Sequence, residues 1–118
     1  MKNVNFYVSN SCANVMFGIE DAEIICSGEK LEALVEKESI PNHEIQIQDI
    51  EDDYFITIKH EMSKEHYISF IACVGLDRVV LVKLYPEQNA EIRIPKRQGN
   101  KILAFCNKHG LWGKAIPI

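Results

Sequence analysis

The chain has 118 residues, of which 47% are hydrophobic and 25% are charged, and its formal net charge is −4. This composition is ordinary for a globular protein, and a single domain of this length buries a core without needing disulfides or a structural metal. The mild negative charge argues against a nucleic-acid partner, and the chain has no basic run typical of a membrane-surface patch.

The first residues contain no apolar stretch long enough for a signal peptide. The longest apolar-rich run, residues 67–76, is about half of what a bilayer span needs. We therefore predict a cytoplasmic protein without a membrane partner. In that compartment cysteines are more often reduced, metal-bound or buried than paired in disulfides.

Residues 1–36 differ in composition from the rest of the chain, since they are richer in Ser, Asn and Gly and contain Cys12 and Cys26. We interpret them as a small irregular N-terminal region, separate from a domain formed by residues 37–118. One helix of at most two turns is predicted within residues 29–37, because apolar side chains recur there on one helical face.

Short strand-like runs separated by turn residues dominate the remainder of the chain. Residues 45–48 and 54–58 show the alternation of half-buried strands, on either side of an acidic turn. Four further runs have the same character: 66–74, 78–84, 90–94 and 101–105. Strands of this length and spacing predict an all-β sandwich or small barrel.

F-C-N-K-H-G-L-W, residues 105–112, contains a cysteine three residues before a histidine. Imidazole and thiolate are ligands that soft and borderline metals prefer, and Cys106 and His109 can chelate a single ion from one turn. Gly110 lets the backbone turn sharply after the second of them. The pair alone is a weak signal, because a buried cysteine is often a small hydrophobe, which is how we interpret Cys73.

The other three histidines lie where strands are predicted to begin or end. His60 and His66 flank a loop that can bring both rings to one ion, and His43 opens another strand. Zinc is the usual metal of a mixed Cys/His site, but it generally takes four ligands. Four histidines and one cysteine exceed that number. They indicate a square-pyramidal metal with one open position, which suits an iron that performs redox chemistry on a small molecule.

Two of these stretches resemble motifs of the superoxide reductases, the family of desulfoferrodoxins and neelaredoxins. Residues 59–68, K-H-E-M-S-K-E-H-Y-I, are similar to the family's H-P-M-x-x-x-H-Y-I, and residues 105–112 are similar to its C-N-x-H-G-L-W. Residues 43–47 resemble the strand that begins with the first histidine ligand. Residues 6–14 and 25–34 are similar to the desulforedoxin-like portion, so the resemblance covers essentially the whole chain.

The resemblance implies an immunoglobulin-like β-sandwich in residues 37–118 with one mononuclear iron, behind a degenerate desulforedoxin-like region at residues 1–36. It implies a superoxide reductase, an oxidoreductase that reduces superoxide by one electron to hydrogen peroxide and takes that electron from a rubredoxin-like donor. A homodimer is expected by analogy. The resemblance also implies four equatorial imidazole ligands and one axial thiolate ligand, which are at once metal ligands and catalytic residues. Matched by position, these residues are His43, His60, His66, His109 and Cys106.

The sequence departs from the family at three places. The Glu-Lys pair that precedes the first histidine, thought to fill the sixth position and to attract superoxide, is replaced by Pro41 and Asn42. The proline of H-P-M is replaced by Glu61. In the desulforedoxin-like portion, Ser9 and Ile25 stand where cysteines are expected, so the four thiolates of such a centre are incomplete.

These departures leave two alternative functions open. In the first, the chain is a non-catalytic or redox-sensing iron-binding sandwich of the same family. In the second, it is a structural zinc-binding interaction module, which metal content and colour would distinguish. Two lysines that flank predicted ligands are candidates for replacing the missing charge: Lys59 and Lys64.

Overall fold

The computed structural model describes residues 4–9, 15–20 and 23–116, and every regular element in these ranges is a β-strand. The predicted all-β class is confirmed. Among the same residues there is no helix that is long and apolar enough to cross a membrane. The chain forms two compact units, Met1–Val35 and Glu36–Ile118.

The first unit contains two antiparallel hairpins within its described residues. Its strands are β1 (Val4–Val8), β2 (Val15–Ile19), β3 (Ile24–Cys26) and β4 (Glu29–Leu31). Strand β1 pairs with β2, and β3 pairs with β4. Phe6 and Tyr7 of β1 and Leu31 of β4 are buried, and the amide of Leu34 donates a hydrogen bond to the carbonyl of Phe6 at 2.8 Å.

The helix predicted within residues 29–37 is wrong. Strand β4 pairs with β3 through a two-residue turn, Ser27 and Gly28, because Cys26 lies opposite Glu29. Both turn residues have positive φ, 51° and 80°, as a type I′ hairpin turn requires. The Ser-Gly turn therefore determines the local structure, and the expected apolar helical face does not form.

The second unit contains a three-stranded and a five-stranded sheet. Its strands are β5 (Glu36–Lys37), β6 (Ile45–Ile50), β7 (Asp53–Ile58), β8 (Ile68–Val74), β9 (Val79–Lys83), β10 (Glu91–Pro95), β11 (Lys101–Cys106) and β12 (Gly110–Ala115). The sheet orders are β10-β7-β6 and β5-β12-β11-β8-β9. The six predicted runs all form strands, whereas β5 and β12 were not predicted.

One apolar core joins the two sheets of the second unit. Ile56 of the smaller sheet and Ile71 and Ile102 of the larger sheet are completely buried members of it. Full burial of such a side chain contributes about 1.5–3 kcal/mol. Cys73 belongs to the same core as a free, buried thiol, and burial raises its pKa, so its interpretation as a core residue is confirmed.

The alternating strand directions bring four strand ends to one edge of the sandwich. Strand β6 begins beside the end of β7, since Ile45 lies opposite Ile58. Strand β8 begins beside the end of β11, since Ile68 lies opposite Cys106. Side chains that precede β6 and β8 or follow β7 and β11 therefore share this edge.

Candidate metal centre

All five predicted ligands converge at this edge. Each offers one nitrogen or sulfur atom, and these five atoms lie within 4.8 Å of one another. The residues are His43, His60, His66, Cys106 and His109. Two of them adjoin the three-stranded sheet and three adjoin the five-stranded sheet, so the group spans the end of the sandwich.

A tight turn presents His43. The amide of His43 donates to the carbonyl of Ile40 at 3.1 Å, which closes a four-residue turn with Pro41 and Asn42 at its centre. Asn42 has a φ of 64°, and proline followed by asparagine with positive φ is typical of a type II turn. The His43 ring is 6% exposed and lies 5.3 Å from the Trp112 ring at an interplanar angle of 88°. This packing restrains the ring.

The loop between His60 and His66 is closed by its own hydrogen bonds. The amide of Ser63 donates to the carbonyl of His66 at 3.1 Å, and the amide of His66 donates to the carbonyl of Ser63 at 3.3 Å. Farther along, the amide of Ile68 lies 3.3 Å from the sulfur of Met62. The loop therefore holds its two histidines at a fixed separation although it contains no proline.

Cys106 and His109 are presented by the hairpin between β11 and β12. Its loop has three residues, because Cys106 lies opposite Gly110, whose φ is 101°. A side chain would be strained in that conformation, which explains the glycine. The register of β11 against β8 shifts between Phe105 and Cys106, and such an irregularity re-aims a side chain at the end of a strand. The Cys106 side chain is completely buried.

Asn107 connects the two ligand-bearing loops. Its Oδ1 accepts a hydrogen bond from the amide of Tyr67 at 2.9 Å, its Nδ2 donates to the carbonyl of Glu65 at 3.0 Å, and its amide donates to the carbonyl of Tyr67. Lys37 restrains the same hairpin, since its Nζ donates to the carbonyl of His109 at 2.6 Å. Sequence reasoning assigned no role to either residue, because both act through partners far away in the chain.

Hydrogen bonds at the second ring nitrogen fix the tautomers of three imidazoles. Nδ1 of His43 donates to the carbonyl of Pro41 at 2.7 Å, and Nδ1 of His60 donates to the carbonyl of Glu61. Nδ1 of His66 donates to the carboxylate of Glu61 at 3.3 Å. These bonds leave the Nε2 lone pairs of the three rings free to bind a metal.

The resulting contacts fit a bound cation. Nε2 of His60 lies 2.9 Å from Nε2 of His43, and two neutral nitrogens without protons cannot share a hydrogen bond. Two ligands at right angles with metal–nitrogen bonds of about 2.1 Å would lie about 3.0 Å apart. The sulfur of Cys106 lies 3.5 Å from Nε2 of His60 and 3.4 Å from Nδ1 of His109, as neighbouring ligands of one ion would.

The electrostatics of the cluster favour the neutral form of two imidazoles, His60 and His109. Burial lowers the pKa of His60 and outweighs the opposing effect of its hydrogen bond to the Glu61 carbonyl, and the other three imidazoles lower this pKa further. The pKa of His109 is lowered by burial first, then by His43 and His66, and then by nearby lysines. The neutral ring is the form that binds a metal, so these lowered pKa values favour metal binding by the two rings.

A solvent-open depression of about 530 Å³ lies over the imidazoles. Its lining residues are Ile40, Pro41, Asn42, His43, Lys59, His60, Glu61, His66 and His109. Lys59 is the lysine among them, so of the two flanking lysines singled out in the sequence it is the one that faces this depression. Cys106 does not belong to this lining, which leaves its sulfur on the buried side of the cluster.

The N-terminal region is expected to hold no second, rubredoxin-like iron. Ser9 is buried and Ile25 is 60% exposed, and neither offers a sulfur ligand. Cys26 is disulfide-bonded, although in the predicted compartment cysteines are more often reduced, metal-bound or buried, and Cys12 lies outside the described residues. We predict at most one bound metal per chain by elemental analysis. A second iron with a tetrahedral sulfur spectrum would contradict this prediction.

The chain is similar to known proteins in sequence and in fold. A family model described as desulfoferrodoxin matches residues 36–115. A desulfoferrodoxin from Clostridium acetobutylicum is 32% identical over 56 residues, which cover 48% of this chain and only 45% of that relative. The crystal structure of the superoxide reductase from Treponema pallidum matches with a TM-score of 0.84 at 20% identity, over 96% of this chain and 98% of the other. This likeness confirms the predicted immunoglobulin-like sandwich.

Proposed function

Because the chain belongs to the desulfoferrodoxin family, we propose that it is a superoxide reductase with one mononuclear iron. The observation that carries the proposal is the convergence of four imidazole nitrogens and one thiol sulfur within 4.8 Å. In this proposal the iron would be held by the imidazoles of His43, His60, His66 and His109 and by the sulfur of Cys106.

The donor set favours iron over a structural zinc. Structural zinc sites are closed and four-coordinate, whereas this cluster offers five donors and has a solvent-open depression on one side. Five mixed nitrogen and sulfur donors leave one position of an octahedral ion vacant. The four imidazoles line the depression and Cys106 does not, so a small molecule would reach a bound iron from the imidazole side.

When bound, the iron supplies one electron to superoxide, which takes up two protons and leaves as hydrogen peroxide. The protein contributes the surroundings of this reaction. The buried sulfur of Cys106 is shielded from water and peroxide, and the depression admits a small anion from solvent. The ammonium group of Lys59 and the amide of Asn42, both in its lining, are the groups available to attract superoxide or donate hydrogen bonds to it.

An external one-electron donor must restore the iron after each turnover, and we propose a rubredoxin-like protein for this role by analogy with the family. The homodimer and the cytoplasmic location stay predictions. A redox-sensing or non-catalytic iron protein is the second candidate, and the specific observation that favours it is the absence of a charged residue at positions 41 and 42. Both candidates require the same iron site and differ in the speed of the reaction with superoxide.

The test is the stoichiometry of the reaction of superoxide with the reduced, iron-loaded protein. A reductase yields one hydrogen peroxide per superoxide and releases no dioxygen, whereas dismutation yields half as much peroxide together with dioxygen. We expect one equivalent of peroxide and one equivalent of oxidised iron, and no reaction from a zinc-loaded control. If the iron-loaded protein reacts with superoxide no faster than this control, the reductase proposal is refuted and the redox-sensing or non-catalytic iron protein stands.

A further inference from the structure

We propose that Glu61 is a positioning residue that holds two ligands at once and biases the centre towards its oxidised state, an inference that rests on the proposed iron site. The carbonyl of Glu61 accepts a hydrogen bond from Nδ1 of His60. Its carboxylate Oε1 accepts one from Nδ1 of His66 at 3.3 Å. Glu61 therefore fixes the orientation of both imidazoles, and its negatively charged carboxylate lies next to the His66 ring.

The carboxylate of Glu61 is held in this position by Ser63. The hydroxyl of Ser63 donates to Oε2 of Glu61 at 2.6 Å, while its oxygen accepts the amide of His66 at 3.2 Å. The alternative acceptor of the hydroxyl proton, the carbonyl of His66, is farther away at 3.3 Å. A short bond to a charged acceptor is the stronger of the two. Glu61, Ser63 and His66 therefore form a closed ring of hydrogen bonds around one ligand.

A carboxylate that accepts the second ring proton of a ligand histidine makes that histidine a better donor to the metal. A better donor and an added negative charge both stabilise the more highly charged, oxidised ion. The carboxyl side chain is 59% exposed, so solvent weakens this effect without removing it. A proline at this position, as in the motif that residues 59–68 resemble, keeps the carbonyl contact and lacks the carboxylate. The bias is therefore a property of this chain.

The decisive variant is Glu61→Gln, which keeps the shape of the side chain and one oxygen that can accept the proton of Nδ1 of His66, and removes the charge. Glu65→Gln is the matched control, because Glu65 is an exposed carboxylate in the same loop and its contact with Asn107 is made by the backbone carbonyl, which the substitution keeps. Two readouts that do not involve superoxide are measured: the reduction potential of the iron-loaded protein, and the affinity of the metal-free protein for cobalt(II).

In Glu61→Gln the ratio of the affinity for oxidised iron to that for reduced iron is expected to fall about tenfold. This change corresponds to a reduction potential about 59 mV higher. The substitution is expected to weaken cobalt binding about tenfold, the lower end of the usual effect of such partners. Glu65→Gln should leave both values unchanged. Equal values for the two variants in both measurements would overturn the proposal. A protein that loads iron but does not reduce superoxide would refute the proposed function and leave this test valid.

Discussion

Replacing Cys106 by serine is expected to abolish both the blue absorption of the oxidised iron protein and its reaction with superoxide. The absorption is expected to arise from charge transfer between a thiolate and ferric iron, so it requires the sulfur. The Cys106 side chain is completely buried, so water has little access to replace it as a ligand. A serine hydroxyl is a shorter and much weaker donor to iron than a thiolate, and we expect the activity to fall to the level of metal-free protein.

The matched control for this prediction is Cys73→Ala. Cys73 is the other free, buried cysteine among the described residues, and it lies in the core strand β8 without a contact to the imidazoles. Its loss should lower the stability of the fold, by creating a small cavity, and leave the absorption band in place. Circular dichroism of both variants checks that they fold. A blue band that persists in Cys106→Ser would show that the sulfur is not a ligand.

Much of the site could be predicted from the sequence because it depends on where strands end. The runs around Ile45, Ile58 and Ile68 were recognisable as strands, and in an antiparallel sandwich their ends are brought to common edges. Histidines at those strand ends are therefore expected to lie close together at one edge. The pair formed by Cys106 and His109 is local to one hairpin, so its spacing was compatible with a chelating turn, and the three other histidines at strand ends strengthened that weak signal.

The failures have local causes as well. Ser27 and Gly28 form a hairpin turn, and this local signal outweighs the leucine spacing in residues 29–37. Pro41 and Asn42 were interpreted only as departures from a family motif, although proline followed by asparagine is itself a type II turn signal. Turn residues are therefore present in the sequence at both places, beside a hydrophobic spacing at the first and a departure from a motif at the second.

Other features could not be found without the structure because they join residues that are distant in the chain. The contact of Asn107 with Glu65 crosses 42 positions, and the contact of Lys37 with His109 crosses 72. The packing of Trp112 against His43 is of the same kind. A motif indicates which residues recur near a site, but it does not show which partner each of them contacts.

Replacing Asn42 by lysine is expected to speed the encounter with superoxide, most strongly at low ionic strength. Asn42 lines the depression over the imidazoles and carries no charge. One added unit charge at 4 Å is worth about 1 kcal/mol in water, which corresponds to about a fivefold higher rate of encounter with an anion. At 0.1 M salt the screening length is about 10 Å, so the gain should shrink as salt is added. Pulse radiolysis of both proteins across a salt series measures it.

Backbone strain must be separated from charge in this experiment. Asn42 has a φ of 64°, a conformation that asparagine tolerates better than lysine, so the variant is expected to lose some stability. Asn42→Gln carries a comparable strain without the charge and is the matched control. If the lysine variant and wild type react at equal rates at every ionic strength, the missing charge is not at position 42. Lys59, which lines the same depression, would then already supply it, and Lys59→Met should slow the reaction in a salt-dependent way.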